Sequence, residues 1–286
     1  MAQTIGDRVY RDKYRRATLD TLLRRALVTE AVCEVDRSDL KRIQSPYGST
    51  PTATVQAIAG TYSIAEYQLT DDTLTVTDEV IVAEHVFDFE TVLTAFDVFA
   101  SRVEQQAFEV ANKIDRWTLN NLCEDATGAY STPAGGFATA ANIPVIMSNL
   151  IGKVAGFKEA YKGLFLVIEN TDVPGFIEKQ VASGFSYADS ALKNGLMQSY
   201  MGVDIYVTRT GTFASETLGT KTYTNSGHRV FGVKKVATYA SPRGVRFEEK
   251  AVSGKTGMEV VTYGYIGFKL WAPVTDLIVD ITIVTS

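Results

Sequence analysis

The stretch from Thr94 to Leu122, TAFDVFASRVEQQAFEVANKIDRWTLNNL, constrains the fold more than any other part of the chain. Phe96, Phe99, Val103, Ala107, Val110, Ile114 and Trp117 recur in steps of three and four, which puts them on one face of an α-helix. No Gly or Pro occurs between Gly60 and Gly128, so nothing local interrupts that helix. At about 1.5 Å per residue it is roughly 43 Å long, more than a small domain is wide. Such a helix is a coiled-coil strand, a membrane span or a beam to which other pieces attach. Arg102, Glu104, Glu109, Lys113, Asp115 and Arg116 lie inside it, and a span of about 20 residues tolerates few charges. A coiled coil would carry its heptads beyond one helix, whereas the flanking sequence turns β-like. The beam remains.

Composition removes further classes. The 286 residues suffice for one large or two medium domains, and 45 % hydrophobic with 21 % charged residues describes a folded protein. A net charge of −5 argues against a dedicated nucleic-acid binder. Cys33 and Cys123 are too few for a disulfide framework or a thiolate metal site, and read as free thiols in a reducing compartment. The opening residues, MAQTIGDRVYRDKYRRATL, lack the apolar core of a secretory signal.

Along the chain, residues 1–30 carry seven Lys or Arg against four Asp or Glu. Leu19, Leu22, Leu23, Ala26 and Leu27 form an apolar stripe beside Arg15, Arg16, Arg24 and Arg25, an amphipathic helix on a basic arm or an ordinary terminal helix. SPYGSTPT, from Ser45, concentrates turn formers and marks a boundary. TATVQAIAG reads as a strand, and TDDTLTVTDEVIVAEHV as another, with Gly60 and Asp71–Asp72 as reversal points. The expected product is a long two-stranded excursion. An isolated ribbon is marginal in water, so it needs support from its own chain or from a neighbouring subunit. GAYSTPAGGFATAANIP reads as a linker. GLFLVIEN and GVDIYVTRT read as strands, and TDVPGFIEKQVA as a helix capped by Thr171 or Asp172 with Pro174 in its first turn. SGHRVFGVKKVATYA reads as a strand passing into a short helical segment. GMEVVTYGYIGFKLWAP and DLIVDITIV return to strands, expected to pair with the base of the early ribbon and to pack on the beam.

Motifs for chemistry are scarce. GFSYA, Gly184–Ala188, misses the last glycine of a nucleophile elbow, and GKT at Gly254–Thr256 lacks its phosphate-loop glycine because position 249 is Glu249. SALK, Ser190 to Lys193, with KTG, Lys255 to Gly257, matches two of the three motifs of serine acyl-enzymes, but the Ser-Asp-Asn motif is missing. His85 lies near Glu84, Asp88 and Glu90 without the spacing of a metal site, so a surface or interface histidine is the plainer reading. Asp71–Asp72 and Glu248–Glu249 read as solvated turn residues, and Lys234–Lys235 and Arg243–Arg246 as solvated basic faces without the aromatics of a nucleic-acid platform. The expectation is a protein with no catalytic, cofactor or metal residues.

The order of parts carries more than any motif. A basic arm, the turn IQSPYGST, a two-stranded loop, the beam with Ile114, Asp115, Leu119 and Leu122 in ANKIDRWTLNNL, segments NTDVPGFIEKQ and GLMQSYMGVDIYVTRT, and the closing YGYIGFKLWAPVTDLIVDI follow one another. This order resembles the major capsid protein of tailed bacteriophages, the Hong Kong 97-type fold. The resemblance implies an α+β chain with an N-terminal arm at 1–49 and an extended β-hairpin loop at 50–79. A peripheral domain with a long spine helix would follow at 80–139 and 255–286, with an inserted α/β axial domain at 140–254. It implies hexamers and pentamers of an icosahedral shell, enclosing double-stranded DNA in a virion assembled in a bacterial cytoplasm. Implied partners are a separate scaffolding protein, since only about 45 residues precede the loop, a portal, and a cement or decoration protein. Arg8, Arg11, Lys13, Arg15 and Arg16 are the candidates for touching scaffold or DNA, and Tyr62, Ile64, Tyr67 and Leu69 for the inter-subunit loop contact. The seven apolar residues of the beam are the spine core. The family's prototype welds a loop lysine to an asparagine, but no lysine occurs between Lys41 and Lys113, which implies a shell held by packing. A same-fold alternative is an encapsulin compartment. From another class, a serine acyl-enzyme hydrolase on Ser190 and Lys193 is the alternative.

Overall fold

The structure is a computed structural model and describes residues 28–48, 68–86, 97–182, 196–251 and 258–285. Its axis is the helix α2, Asp97–Asp125, one unbroken element of 29 residues. A short helix, α1 (Val28–Val32), precedes it, and α3 (Ile143–Val154) and α4 (Val173–Ala182) follow. Pro144 and Pro174 fall in the first turns of α3 and α4, where a missing N–H costs nothing.

Two sheets clasp α2. The five-stranded sheet is built on β14 (Met258–Leu270), whose 13 residues pair with β4 (Asp78–Val86), β13 (Arg246–Ala251) and β12 (Ala237–Ala240); β1 (Glu34–Asp36) runs parallel to β12. The six-stranded sheet has the order β5-β15-β11-β6-β8-β7. Its strands are β5 (Gly128–Ser131), β6 (Leu164–Glu169), β7 (Leu196–Tyr200), β8 (Val203–Thr208), β11 (His228–Val233) and β15 (Ile278–Thr282). β6 and β8 are parallel, as are β5 and β15, and the other pairs are antiparallel. From its second residue onward β6 is buried throughout, as the apolar run LFLVI requires of a strand covered on both faces. A two-residue hairpin pair, β9 (Thr217–Leu218) and β10 (Lys221–Thr222), lies against the beam.

The amphipathic pattern describes only part of α2. Ala107, Val110, Ala111 and Ile114 are buried on one side while Glu109 and Lys113 are exposed. From Trp117 to Cys123 every residue is buried, polar ones included. β14, β4, β15 and β11 all pack on the helix, and residues 209–225 close the remaining side. The buried asparagines are paired: Asn120 Nδ2 donates to Arg116 O and Thr212 O, and Asn225 Nδ2 donates to Asn120 O and Oδ1. A single apolar core therefore runs from Val80 and Ile266 through Trp117 and Leu122 to Phe165 and Val230.

Several sequence expectations are corrected. SPYG, Ser45 to Gly48, is not a turn but the end of β2 (Arg42–Gly48), which pairs with β3 (Leu69–Thr75). Pro46 is tolerated because a two-stranded ribbon consists of edge strands. Asp71–Asp72 lies inside β3 rather than at a reversal, and TDDTLTVTDEVIVAEHV divides after Thr75 into β3 and β4, which belong to different sheets. The ribbon thus begins at Arg42, before the expected 50–79 loop, and β4 has joined the five-stranded sheet by Asp78. GAYS is strand β5, not linker. The segment after β11 is strand β12: Lys235 takes a left-handed φ of 60° to turn the chain, and Ala237–Ala240, buried throughout, gains ladders to β1 and β14. The sheets also cross the segment boundaries expected from chain order. β12 and β13 return to the five-stranded sheet, while β15 enters the middle of the six-stranded one, so only β14 of the two C-terminal strands meets β4.

A break in α2 should disconnect both sheets. Val110→Pro, costing about 3 kcal/mol or more, is expected to give insoluble protein or a much lower thermal midpoint. A soluble variant that melts at the wild-type temperature would refute the role given to α2.

Candidate functional site

The described residues contain no group of three or more His, Cys, Asp or Glu placed to hold a metal, and no helix among them is long and apolar enough to cross a membrane. Ser190, Lys193 and Lys255 to Gly257 lie outside the described residues, as do Arg8, Arg11, Lys13, Arg15, Arg16, Tyr62, Ile64, Tyr67 and Phe96. Leu69 begins β3 at the far end of the ribbon and is 65 % exposed. Phe99 and Val103 lie in α2, and Ala107, Val110, Ile114 and Trp117 are buried against the sheets. His85 sits in β4 opposite Glu259 of β14.

Charged side chains concentrate at α1, at the base of the ribbon and beside the loop around residue 211. Asp115 of α2 accepts bonds from Val28 N (3.1 Å), Thr29 N (2.9 Å) and Thr29 Oγ1 (2.7 Å), capping α1 from outside. Lys235 Nζ holds the other end of α1 by donating to Glu30 O and Cys33 O, and Lys235 N donates to Val32 O (2.7 Å). Five helical residues would not hold together alone; the two charges complete their open backbone groups. Burial pushes the Asp115 carboxyl up to about 6, although the bonds from Thr29 and Val28 favour its charged form. Burial likewise pushes the Cys33 thiol up to about 12, so it is an inert core residue.

At the base of the ribbon, Leu74 and Val76 pack with Ala240, Ile43 and Trp271. Asp72 accepts from Lys269 Nζ (2.9 Å) and from Ala272 N (3.0 Å). Burial opposes charge on Asp72, but the bonds from Lys269 and Ala272 outweigh it and hold the carboxyl below its ordinary value. The crossing is close: a Cβ on Gly267 would stand 3.0 Å from Val76 Cγ2 and 3.1 Å from Leu74 Cδ2. The ribbon base therefore rests on its own sheet.

A third cluster ties the six-stranded sheet to the loop around residue 211. Arg229, Glu169 and Asp172 are all buried. Arg229 pairs with both carboxylates, and Glu169 Oε1 accepts from Gly211 N (2.9 Å) and Phe213 N (3.2 Å). Asp172, one of the two residues expected to cap α4, also bonds Arg229 and accepts from Glu169 N. Nearby, His228 bonds Asp280 at 2.8 Å, and that bond raises the imidazole above its usual range.

Sequence reading missed most of these anchors. Asp72 and Lys235 read as solvated charges in the sequence, and nothing local shows that their partners, 197 and 202 or more positions away, arrive beside them. Asp115 stood within the family-like helix pattern, but its partner at Thr29 is 86 positions earlier.

No protein-family model and no curated protein sequence matches the chain. Solved structures do. The capsid of the cyanophage P-SCSP1u superposes with a TM-score of 0.66 at 12 % identity, covering 92 % of this chain and 89 % of that one. The mature capsid of bacteriophage PhiM1 gives 0.65 at 10 % identity over 88 % and 86 %, and a virus-like particle from Pyrococcus furiosus gives 0.63 at 11 % over 94 % and 98 %. The fold is the α+β Hong Kong 97-type fold shared by such phage capsid proteins.

Two measurements test the anchors. Burial sets the folded Asp115 carboxyl at about 6, above its ordinary 3.8. Its contribution is therefore complete below that lower value and is lost as pH rises through the upper one. Urea midpoints of wild type should fall over this window relative to those of Asp115→Asn, which cannot titrate; parallel curves would contradict the burial. Gly267→Val should overpack the ribbon crossing and cost about 1–3 kcal/mol in thermal unfolding, and an unchanged melt would show that the ribbon does not rest there.

Proposed function

We propose that this chain is the major capsid protein of a tailed bacteriophage, a shell subunit whose role is mechanical. The observation that carries the proposal is the likeness to capsid structures over about nine-tenths of both chains. The architecture suits that role. A rigid beam with both sheets clasped to it is a body that transmits force, and a ribbon projecting from it offers a contact to a neighbour. Contacts between different patches of like subunits close rings and shells rather than dimers.

On this reading hexamers and pentamers form an icosahedral head around double-stranded DNA, assembled in the bacterial cytoplasm and retained in the virion. The six-stranded sheet with α3 and α4 serves as the axial domain, and the five-stranded sheet with α2 as the peripheral one. The extended loop expected at 50–79 reaches across a neighbour through Tyr62, Ile64, Tyr67 and Leu69. The arm residues Arg8, Arg11, Lys13, Arg15 and Arg16 contact a separate scaffolding protein or the DNA. A portal and a cement or decoration protein are the remaining partners. With no lysine between Lys41 and Lys113, the loop supplies no amine for a covalent weld.

Electron microscopy of the expressed protein, alone and with a scaffolding protein from the same source, should show rings, shells or spirals. Denaturing mass spectrometry of those particles should return a single chain mass. A protein that stays a small monomer under every assembly condition would refute the proposal, and covalent oligomers would refute the packing-only shell. Particles filled with a cargo enzyme instead of nucleic acid would favour an encapsulin compartment.

A further inference from the structure

A cavity of about 160 Å³ lies where α2, β4, β14 and the β9–β10 hairpin meet. Val80 of β4, Trp117 of α2 and Ile266 of β14 form its floor, and all three are buried. Leu218 and Gly219 of the hairpin form the facing wall. The two sides are held very differently. The floor is carried by the long ladder of β4 on β14 and by α2. The hairpin pairs two residues with two, and of residues 216–222 only Leu218 is buried. Its other ties to the body are polar. Lys221 Nζ donates to Asp125 Oδ1 (3.0 Å), with the two side chains 39 % and 37 % exposed, and to Asn121 Oδ1 (3.3 Å). Glu216 pairs with Arg116 and, at 3.9 Å, with Lys113. Thr220 N donates to Asp78 Oδ1 (3.0 Å). Water replaces such bonds when the hairpin lifts, and exposed ion pairs add little. The void beneath also denies the hairpin packing contacts that a filled interface would supply.

On either side of the hairpin the chain is fixed. Phe213 and Tyr223 are buried, Thr212 O accepts from Asn120 Nδ2 (2.9 Å), and Asn225 Nδ2 donates to Asn120 O (3.1 Å). Tyr223 N donates to Glu216 O (2.9 Å), which closes the hairpin at its neck and lets it move as one piece. We propose that residues 216–222 are a lid, which swings off α2 between the fixed points at Phe213 and Tyr223 and opens the pocket while both sheets stay intact. Lifting the lid costs the burial of one leucine and a few replaceable bonds, and breaks no ladder of either sheet. Segments with so few buried apolar contacts open far more often than the core does. The lid gates an apolar floor on the middle of α2, with Trp117 at its centre.

The lid goes beyond the shell reading and does not rest on it, so it is tested on the full chain before assembly. Ile266→Cys places a thiol on the floor, and Cys123, buried in α2, is the internal reference. With excess thiol reagent under native conditions, the floor thiol is expected to react at least about a hundredfold faster than Cys123. Adding Leu218→Ala should raise that rate about tenfold or more. Adding Lys221→Ala should raise it about threefold and leave the urea midpoint of global unfolding nearly unchanged. Hydrogen exchange of the unsubstituted chain reads the same opening without a floor cysteine: the Thr220 amide should exchange at least about a hundredfold faster than the amides of β11. A floor thiol as slow as Cys123, or a Thr220 amide as slow as those of β11, would show that the hairpin opens only with the whole fold. A floor thiol that reacts as fast as in the urea-unfolded chain, with no change on adding Leu218→Ala, would show a pocket that stands open without a lid. Either result overturns the proposal.

Discussion

Everything in this molecule hangs on the burial of α2 from Trp117 to Cys123 on all sides. A helix enclosed in this way has no solvent face, so its buried amides need partners from its own backbone and from its neighbours. Asn120 and Asn121 achieve this with carbonyls of α2 itself, with Thr212, and with Asn225 and Lys221 from the segment that covers them. These bonds are directional, so they fix where residues 209–225 lie, which apolar packing alone would leave loose. The same helix contributes Val110 and Ile114 to one core shared by both sheets. The two sheets are therefore not free to move as separate domains.

Around that centre, charge serves as fastening. Asp115 and Lys235 hold α1, Asp72 and Lys269 the ribbon's base, and Arg229 with Glu169 and Asp172 the loop near Gly211. Removing one member of a buried pair leaves the other uncompensated, so these contacts enforce geometry more than they add net stability. Surface pairs such as Arg37–Glu30 and Arg243–Asp39 have no such leverage, since water screens them.

Where the sequence reading failed, the failures share one cause. The SPYG turn, the GAYS linker and the helical reading of residues after Val233 all concerned short segments with weak intrinsic preference. Each became a strand because a distant strand offered it a ladder: β3 for Ser45–Gly48, β15 for Gly128–Ser131, and β14 with β1 for Ala237–Ala240. Propensity yields wherever pairing and burial are strong.

By itself the sequence determined the unbroken helix, because its periodicity and the lack of Gly and Pro are local properties. It also determined the buried strands LFLVIE and VDIYVT, the absence of a phosphate loop, and the order of parts that resembles a capsid subunit. Tertiary structure alone decided that β15 enters one sheet while β14 founds the other, and that Gly267 marks a crossing. It also decided that Asp72, Asp115 and Lys235 are anchors rather than solvated charges. The physical reason is separation along the chain: a side chain's environment depends on partners that only the folded backbone brings near, and for Cys33 and Lys235 that distance is 202 residues.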